Sequence, residues 1–176
     1  MKLKTKKDLA DVGDNIMNDD SKFMAEAVIE AQRGFDEGEV PIGAVAIRDG
    51  KIVARGHNRR NALKDITAHA EIMCLRELSK GINNLDLSDV IIYSTLEPCA
   101  MCLGAMIHYN VTNILFGEYD LLGGACGSKY EFNKPANVMV EGGVLRKECR
   151  EILLRYFESE LGEKSNRWKD IDLPAE

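Results

Sequence analysis

The chain carries no surplus of positive charge: 23 Lys and Arg stand against 29 Asp and Glu, a formal net charge of -6. Nucleic-acid binding by bulk attraction usually announces itself as a basic patch or stripe, and an acidic balance gives no sign of one. There is no apolar run of membrane-spanning length, and the positive start Met1-Lys2-Leu3-Lys4-Thr5-Lys6-Lys7 is followed by no apolar signal core. Internal repeats and low-complexity segments are absent as well. Five cysteines, an odd number in 176 residues, argue against a disulfide framework. Together these absences point to a soluble, cytoplasmic protein with no membrane partner and reduced thiols. With hydrophobic residues at 45%, the chain can bury one core and is expected to form one catalytic-sized domain.

Residues 1–20 are polar, with Asp11, Asp14, Asp19 and Asp20, and read as a loosely held arm. From Ser21, a suitable N-cap, Met24, Ala27, Val28, Ala31 and Phe35 fall at helical spacing, and Gly38 marks the end. Asp49-Gly50 between two apolar runs predicts a tight hairpin. Thr67 can cap a helix over 68–80, which places His69 and Glu71 in its first turn. The β-branched run 90–96 reads as a strand, broken by Glu97-Pro98 into a helix over 99–109. A strand over 112–116 follows, parallel to the previous one if the helix is a crossover, then a strand near 138–140 and a helix over 145–159. This order predicts an α/β three-layer α-β-α sandwich around a central five-stranded mixed sheet. The expected organisation is an arm over 1–20, a catalytic domain over 21–160 and a tail over 161–176 able to act as a lid.

Chemistry concentrates in two short stretches. Cys99 and Cys102 are three apart at a helix start, so both sulfurs point to one side, where the helix dipole favours thiolates. A Cys-x-x-Cys pair alone also fits a redox site or a structural zinc ribbon. A ribbon needs a second such pair, absent here, and a redox motif has no use for an upstream His-x-Glu. With His69 as third ligand, the set suits Zn²⁺ with its fourth position open for water. Glu71, two residues on, is free to move protons. A non-catalytic zinc-binding protein is the alternative, but a closed structural site wants a fourth protein ligand, and none is evident near the motif.

The combination His69-Ala-Glu71 with Pro98-Cys99-Ala-Met-Cys102 resembles the cytidine deaminase-like superfamily over about residues 22–160. Glu39-Val-Pro-Ile-Gly-Ala44, Arg55-Gly-His-Asn58 and Thr95-Leu-Glu-Pro98 are shared with bacterial tRNA adenosine deaminases and with yeast-type cytosine deaminase. The resemblance implies a cytidine deaminase-like fold, zinc on His69, Cys99 and Cys102, one ion per subunit, a proton shuttle at Glu71 and substrate contacts at Asn58 and Ala70. It also implies a homodimer and a hydrolytic reaction that replaces an exocyclic amine by oxygen and releases ammonia.

Two regions bear on the substrate. Phe116-Gly-Glu-Tyr-Asp120 and Gly123-Gly-Ala-Cys-Gly-Ser128 look like the tRNA adenosine deaminases, yet the lysine expected soon after the aspartate is Leu122, the following segment is shorter, and their Asn-His-Arg is missing. Trp168 and Asp170 look instead like the piece of yeast-type cytosine deaminase that closes over a free base, an indole for stacking and a carboxylate for the amine. The expectation is a small-molecule nucleobase, cytosine first. The tRNA anticodon loop with its wobble adenosine is the alternative, and guanine or another aminated ring a further one. On this reading, removal of residues from Trp168 onward abolishes free-base deamination, measured as ammonia release; unchanged turnover would remove the lid role.

Overall fold

The computed structural model describes residues 6–83 and 85–161, with side chains described over 19–83 and 85–159. The chain runs α1 (Lys6–Asp36), β1 (Gly43–Arg48), β2 (Lys51–His57), α2 (Arg60–Leu63), α3 (Ala70–Ser79), β3 (Ile91–Leu96), α4 (Ala100–His108), β4 (Asn113–Glu118), β5 (Met139–Gly142) and α5 (Arg146–Leu161). The strands form one five-stranded sheet in the order β2-β1-β3-β4-β5. β1 is antiparallel to both β2 and β3, while β3, β4 and β5 are parallel to one another, so the sheet is mixed as expected. Asp49 and Gly50 have φ of 51° and 68°, the left-handed pair that a two-residue hairpin turn requires.

Strand alternation sorts the core into two layers. Ala44, Ala46, Ala54, Ile92 and Ile114 face α3 and α4, and pack with Cys74, Leu75, Leu103 and Met106. Val45, Ile47 and Tyr93 face the other way and pack with Met24 and Ala27 of α1 and Cys149 of α5. Helices thus cover both faces of the sheet, which makes the α-β-α sandwich. β1 lies inside the sheet and is buried on both faces, whereas β2 at the edge alternates.

Three glycines bring helices onto the strands at backbone distance. A Cβ on Gly43 would lie 2.1 Å from the Ala27 carbonyl, one on Gly117 2.3 Å from the Cys149 sulfur, and one on Gly56 2.4 Å from the Cys74 amide and 2.6 Å from the Ala70 carbonyl. The last contact matters most for the site, because it sets where α3 begins.

Two helix starts differ from expectation. α1 includes Ser21 in its interior and begins at Lys6. Leu9, Val12 and Ile16 continue the helical spacing upstream, and lengthening an existing helix gains one hydrogen bond per residue without a new nucleation cost. Thr67 caps nothing: its amide and hydroxyl both donate to Asp65 Oδ1, at 2.8 and 2.6 Å, and α3 starts three residues later with His69 at its N-cap. The short α2 turn was read from sequence as loop. Glu39, fully buried, accepts the Asn61 and Ala62 amides at 3.1 and 2.8 Å and so holds that turn from outside.

Gly56→Ala is expected to push α3 off β2, lowering the unfolding free energy by about 1–3 kcal/mol. Chemical denaturation of the variant beside wild type measures this.

Candidate active site

Because β1 opposes β2 and β3, the start of β1 and the ends of β2, β3 and β4 meet at one rim of the sheet. Ligands of open α/β sheets sit beyond the carboxyl ends of parallel strands, and here that rim is also where α3 and α4 begin. His69 and Cys99 are the N-cap residues of those two helices, both in extended backbone conformation. Cys102 follows in the first turn of α4, and Glu71 in the first turn of α3.

The expected ligand atoms come together. His69 Nδ1 lies 3.7 Å from Cys99 Sγ and 3.6 Å from Cys102 Sγ, and all three ligand atoms fall within 4.8 Å of one another. A tetrahedral ion bound at ordinary zinc–nitrogen and zinc–sulfur lengths sets an N···S edge of about 3.6 Å. The residues therefore fit zinc without rearrangement, with Nδ1 as the imidazole donor. Two sulfurs and one imidazole fill three positions, and among the described residues no fourth His, Cys, Asp or Glu joins the cluster.

Electrostatics within the cluster are strongly coupled. The hydrogen bond from Cys102 holds the Cys99 thiol down at about 4, against the opposing effect of burial, and His69 adds to the lowering. Cys102 is pushed up, first because it donates that hydrogen bond and then by burial. The hydrogen bond with Cys99 raises His69. This is one proton set shared among donor atoms; a dication at their centre would leave both sulfurs as thiolates and the imidazole neutral. Glu71 is 4% exposed, and burial pushes its carboxyl up from the ordinary carboxylate range. Its Oε2 stands 3.4 Å from Cys102 Sγ, beside the cluster.

A pocket of about 200 Å³ opens over these groups. Asn58, His69, Glu71 and Cys99 line it, with Val40, Ile42, Leu96 and Phe157 supplying apolar wall. Asn58 is 2% exposed, and its Oδ1 accepts the Ala70 amide at 2.8 Å, between His69 and Glu71. It thus caps α3 from the neighbouring segment, and the loss of such a cap costs about 1 kcal/mol. Its Nδ2 has no partner among the described residues and is free to donate into the pocket. Ala70 is fully buried, its amide already taken by Asn58. Trp168 and Asp170, expected at the site, lie outside the described residues.

Several pocket residues escaped the sequence reading. Phe157 and Arg60 are among them, and Glu97 was read only as part of a helix break. Glu97 is 2% exposed, and its carboxylate accepts the amides of Asp120, Cys126 and Ser128 at 3.1, 2.9 and 3.1 Å. With the Ala125 amide bonded to the Pro98 carbonyl at 2.9 Å, this clamps the glycine-rich loop onto the Cys99 segment. A Cβ on Gly124 would lie 2.4 Å from that carboxylate. An acidic residue before Pro-Cys, followed after the next strand by clustered glycines, was the available signal. Asp120, quoted only within a family likeness, also lines the pocket. His57 is held between Glu30 and Glu37, at 3.4 and 3.3 Å. Cys74 and Cys149 are buried core thiols, and Cys126 is half-buried; burial pushes Cys126 and Cys149 up to about 12.

Residues 17–118 match the model for the cytidine and deoxycytidylate deaminase zinc-binding region. A tRNA-specific adenosine deaminase of Bacillus subtilis (strain 168) is 39% identical over 147 residues, 80% of this chain and 90% of that protein. A chloroplastic tRNA(adenine(34)) deaminase of Arabidopsis thaliana is 38% identical over 159 residues, 79% of this chain but only 12% of that much longer protein. A solved structure from a study of A-to-I editing by tRNA deaminases at the wobble position superposes with a TM-score of 0.71 at 37% identity, covering 75% of this chain and 99% of that one. The chain belongs to the zinc-binding cytidine and deoxycytidylate deaminase family, and its His/Cys/Cys centre is the catalytic type of hydrolytic nucleobase and nucleoside deaminases. Among the described residues no helix is long and apolar enough to cross a membrane.

Cys102→Ala is expected to drop bound zinc from about one ion per chain to a small fraction, whereas Glu71→Ala keeps it. Metal content by atomic absorption after gel filtration distinguishes the two.

Proposed function

We propose that this protein is a zinc-dependent hydrolase that converts adenosine to inosine in tRNA, acting at the anticodon wobble position. What supports this reading above all is the 39% identity, over 80% of the chain, to the tRNA-specific adenosine deaminase of Bacillus subtilis. It replaces the preference for free cytosine. That preference rested on Trp168 and Asp170, outside the described residues, on the departures after Asp120 (Leu122, a shorter segment and no Asn-His-Arg), and on the acidic total, which reports nothing about the charge at the pocket mouth.

In this reading His69, Cys99 and Cys102 hold one zinc ion. Bound there, zinc supplies a Lewis acid that makes water nucleophilic near neutral pH. The chain's own residues do the rest. Glu71, buried and raised, takes a proton from the attacking water and delivers it to the ring nitrogen beside the reacting carbon. A second transfer through the same carboxylate protonates the amine, which leaves as ammonia. Asn58 presents its Nδ2 to the base edge, while its Oδ1 keeps Glu71 in register through the start of α3. Leu96, Ile42 and Phe157 flank the flat ring and exclude bulk water. One water enters and one ammonia leaves, with no change of oxidation state. The base must arrive unstacked, since the reacting carbon has to reach the floor of a pocket. A homodimer, implied by the family resemblance, and a cytoplasmic location, expected from the sequence, are part of the same proposal.

The deciding experiment offers an anticodon stem-loop RNA with a wobble adenosine, adenosine, cytosine and guanine as separate substrates, with and without a zinc chelator. Inosine formation in the RNA, stopped by chelation and by Glu71→Ala, is the expected result. Ammonia from cytosine or guanine with an unreactive RNA would overturn the proposal.

A further inference from the structure

Arg60 opens α2 and lines the same pocket as Asn58, His69 and Glu71. It is exposed, and its guanidinium makes no ion pair or hydrogen bond among the described residues, while its backbone carbonyl accepts the Asp65 amide at 3.1 Å. The acids near it are engaged elsewhere. Glu37 faces His57 and Arg59, Asp65 holds the Thr67 turn and faces Arg76, and Glu39 is enclosed against the α2 amides. Lys64, at the other end of the same short turn, is also without an ionic partner among the described residues, and the first turn of α2 carries no acid. Arg60 is the guanidinium of a lining that also holds the acids Glu71, Glu97 and Asp120, of which Glu97 accepts three loop amides and Asp120 the Leu122 amide.

A free neutral base carries no charge to pair with this guanidinium. A base still attached to its strand would bring the adjoining phosphates to the pocket mouth once the base is swung inside. The guanidinium fork matches phosphate oxygens two at a time, which a point-charged ammonium does not. We infer that Arg60 binds a phosphate of the RNA strand next to the base held in the pocket, so that the enzyme distinguishes a base in a strand from a free base at this position. The inference rests on the tRNA reading above. Arg60 acts here in binding and does not touch the reacting atoms.

The test measures kcat and KM for inosine formation in the anticodon stem-loop over a range of salt concentrations, for wild type, Arg60→Gln and Arg60→Lys. The Gln variant should raise KM about tenfold with a smaller change in kcat, and the slope of log KM against log salt should fall by about one. The Lys variant should recover the salt slope and part of the affinity. A Gln variant with wild-type KM and slope overturns the inference while leaving the tRNA reading intact. Gln and Lys variants equally impaired, both with lowered melting temperature or zinc content, also overturn it, because the residue is then structural. A wild-type enzyme that deaminates free bases and ignores the RNA removes the tRNA reading itself, and the phosphate with it.

Discussion

The site exists because two helices must begin at the same point. α3 and α4 both start at the rim where β3 and β4 end, each with a metal-cluster residue as its N-cap. Helix starts leave amides unpaired and carry the positive end of the dipole, so they favour sulfur in its anionic form. Their meeting depends on backbone contact. Without a side chain on Gly56, α3 settles directly on β2, and Asn58 Oδ1 reaches the Ala70 amide. Placement of the ligands is thus a consequence of helix–strand packing, with the cluster geometry following from where the helices are allowed to stop.

The same arrangement separates two tasks along one short turn. His69 precedes the helix and turns its Nδ1 to the sulfurs, while Glu71 lies within the helix and is buried beside them. Two residues of sequence make the difference between an atom in the cluster and an atom next to it. Asn58 couples both to β2, so a change at the edge strand reaches the reaction centre through one hydrogen bond.

Much of this was legible in the sequence, and the limits have a physical pattern. Cys99 and Cys102 share a helix turn, and His69 and Glu71 share another, so their chemistry could be read from local spacing. The hairpin at Asp49-Gly50 and the mixed five-stranded sheet followed from equally local signals. The start of α3 was misplaced because Thr67 found a closer acceptor in Asp65, and the actual cap came from Asn58, twelve residues away. Phe157 reaches the pocket from the last helix, a contact that only the folded sheet creates. Charge misled for a related reason: a whole-chain sum says nothing about Arg60 at the pocket wall. The choice of substrate suffered most, since it leaned on distant tail residues.

Glu97 has a consequence for the chemistry that its clamping role conceals. The rim carries two buried glutamates close to the cysteine pair, and either side chain type could in principle shuttle protons. Three backbone amides already occupy the oxygens of Glu97, and those amides belong to a loop that would open if the carboxylate turned away. Glu71 accepts no such set. The fold therefore leaves Glu71, of the two, available for the proton transfer proposed above, by surrounding Glu97 with donors that cannot leave. An acid in a motif can be silenced by its hydrogen bonds as completely as by mutation.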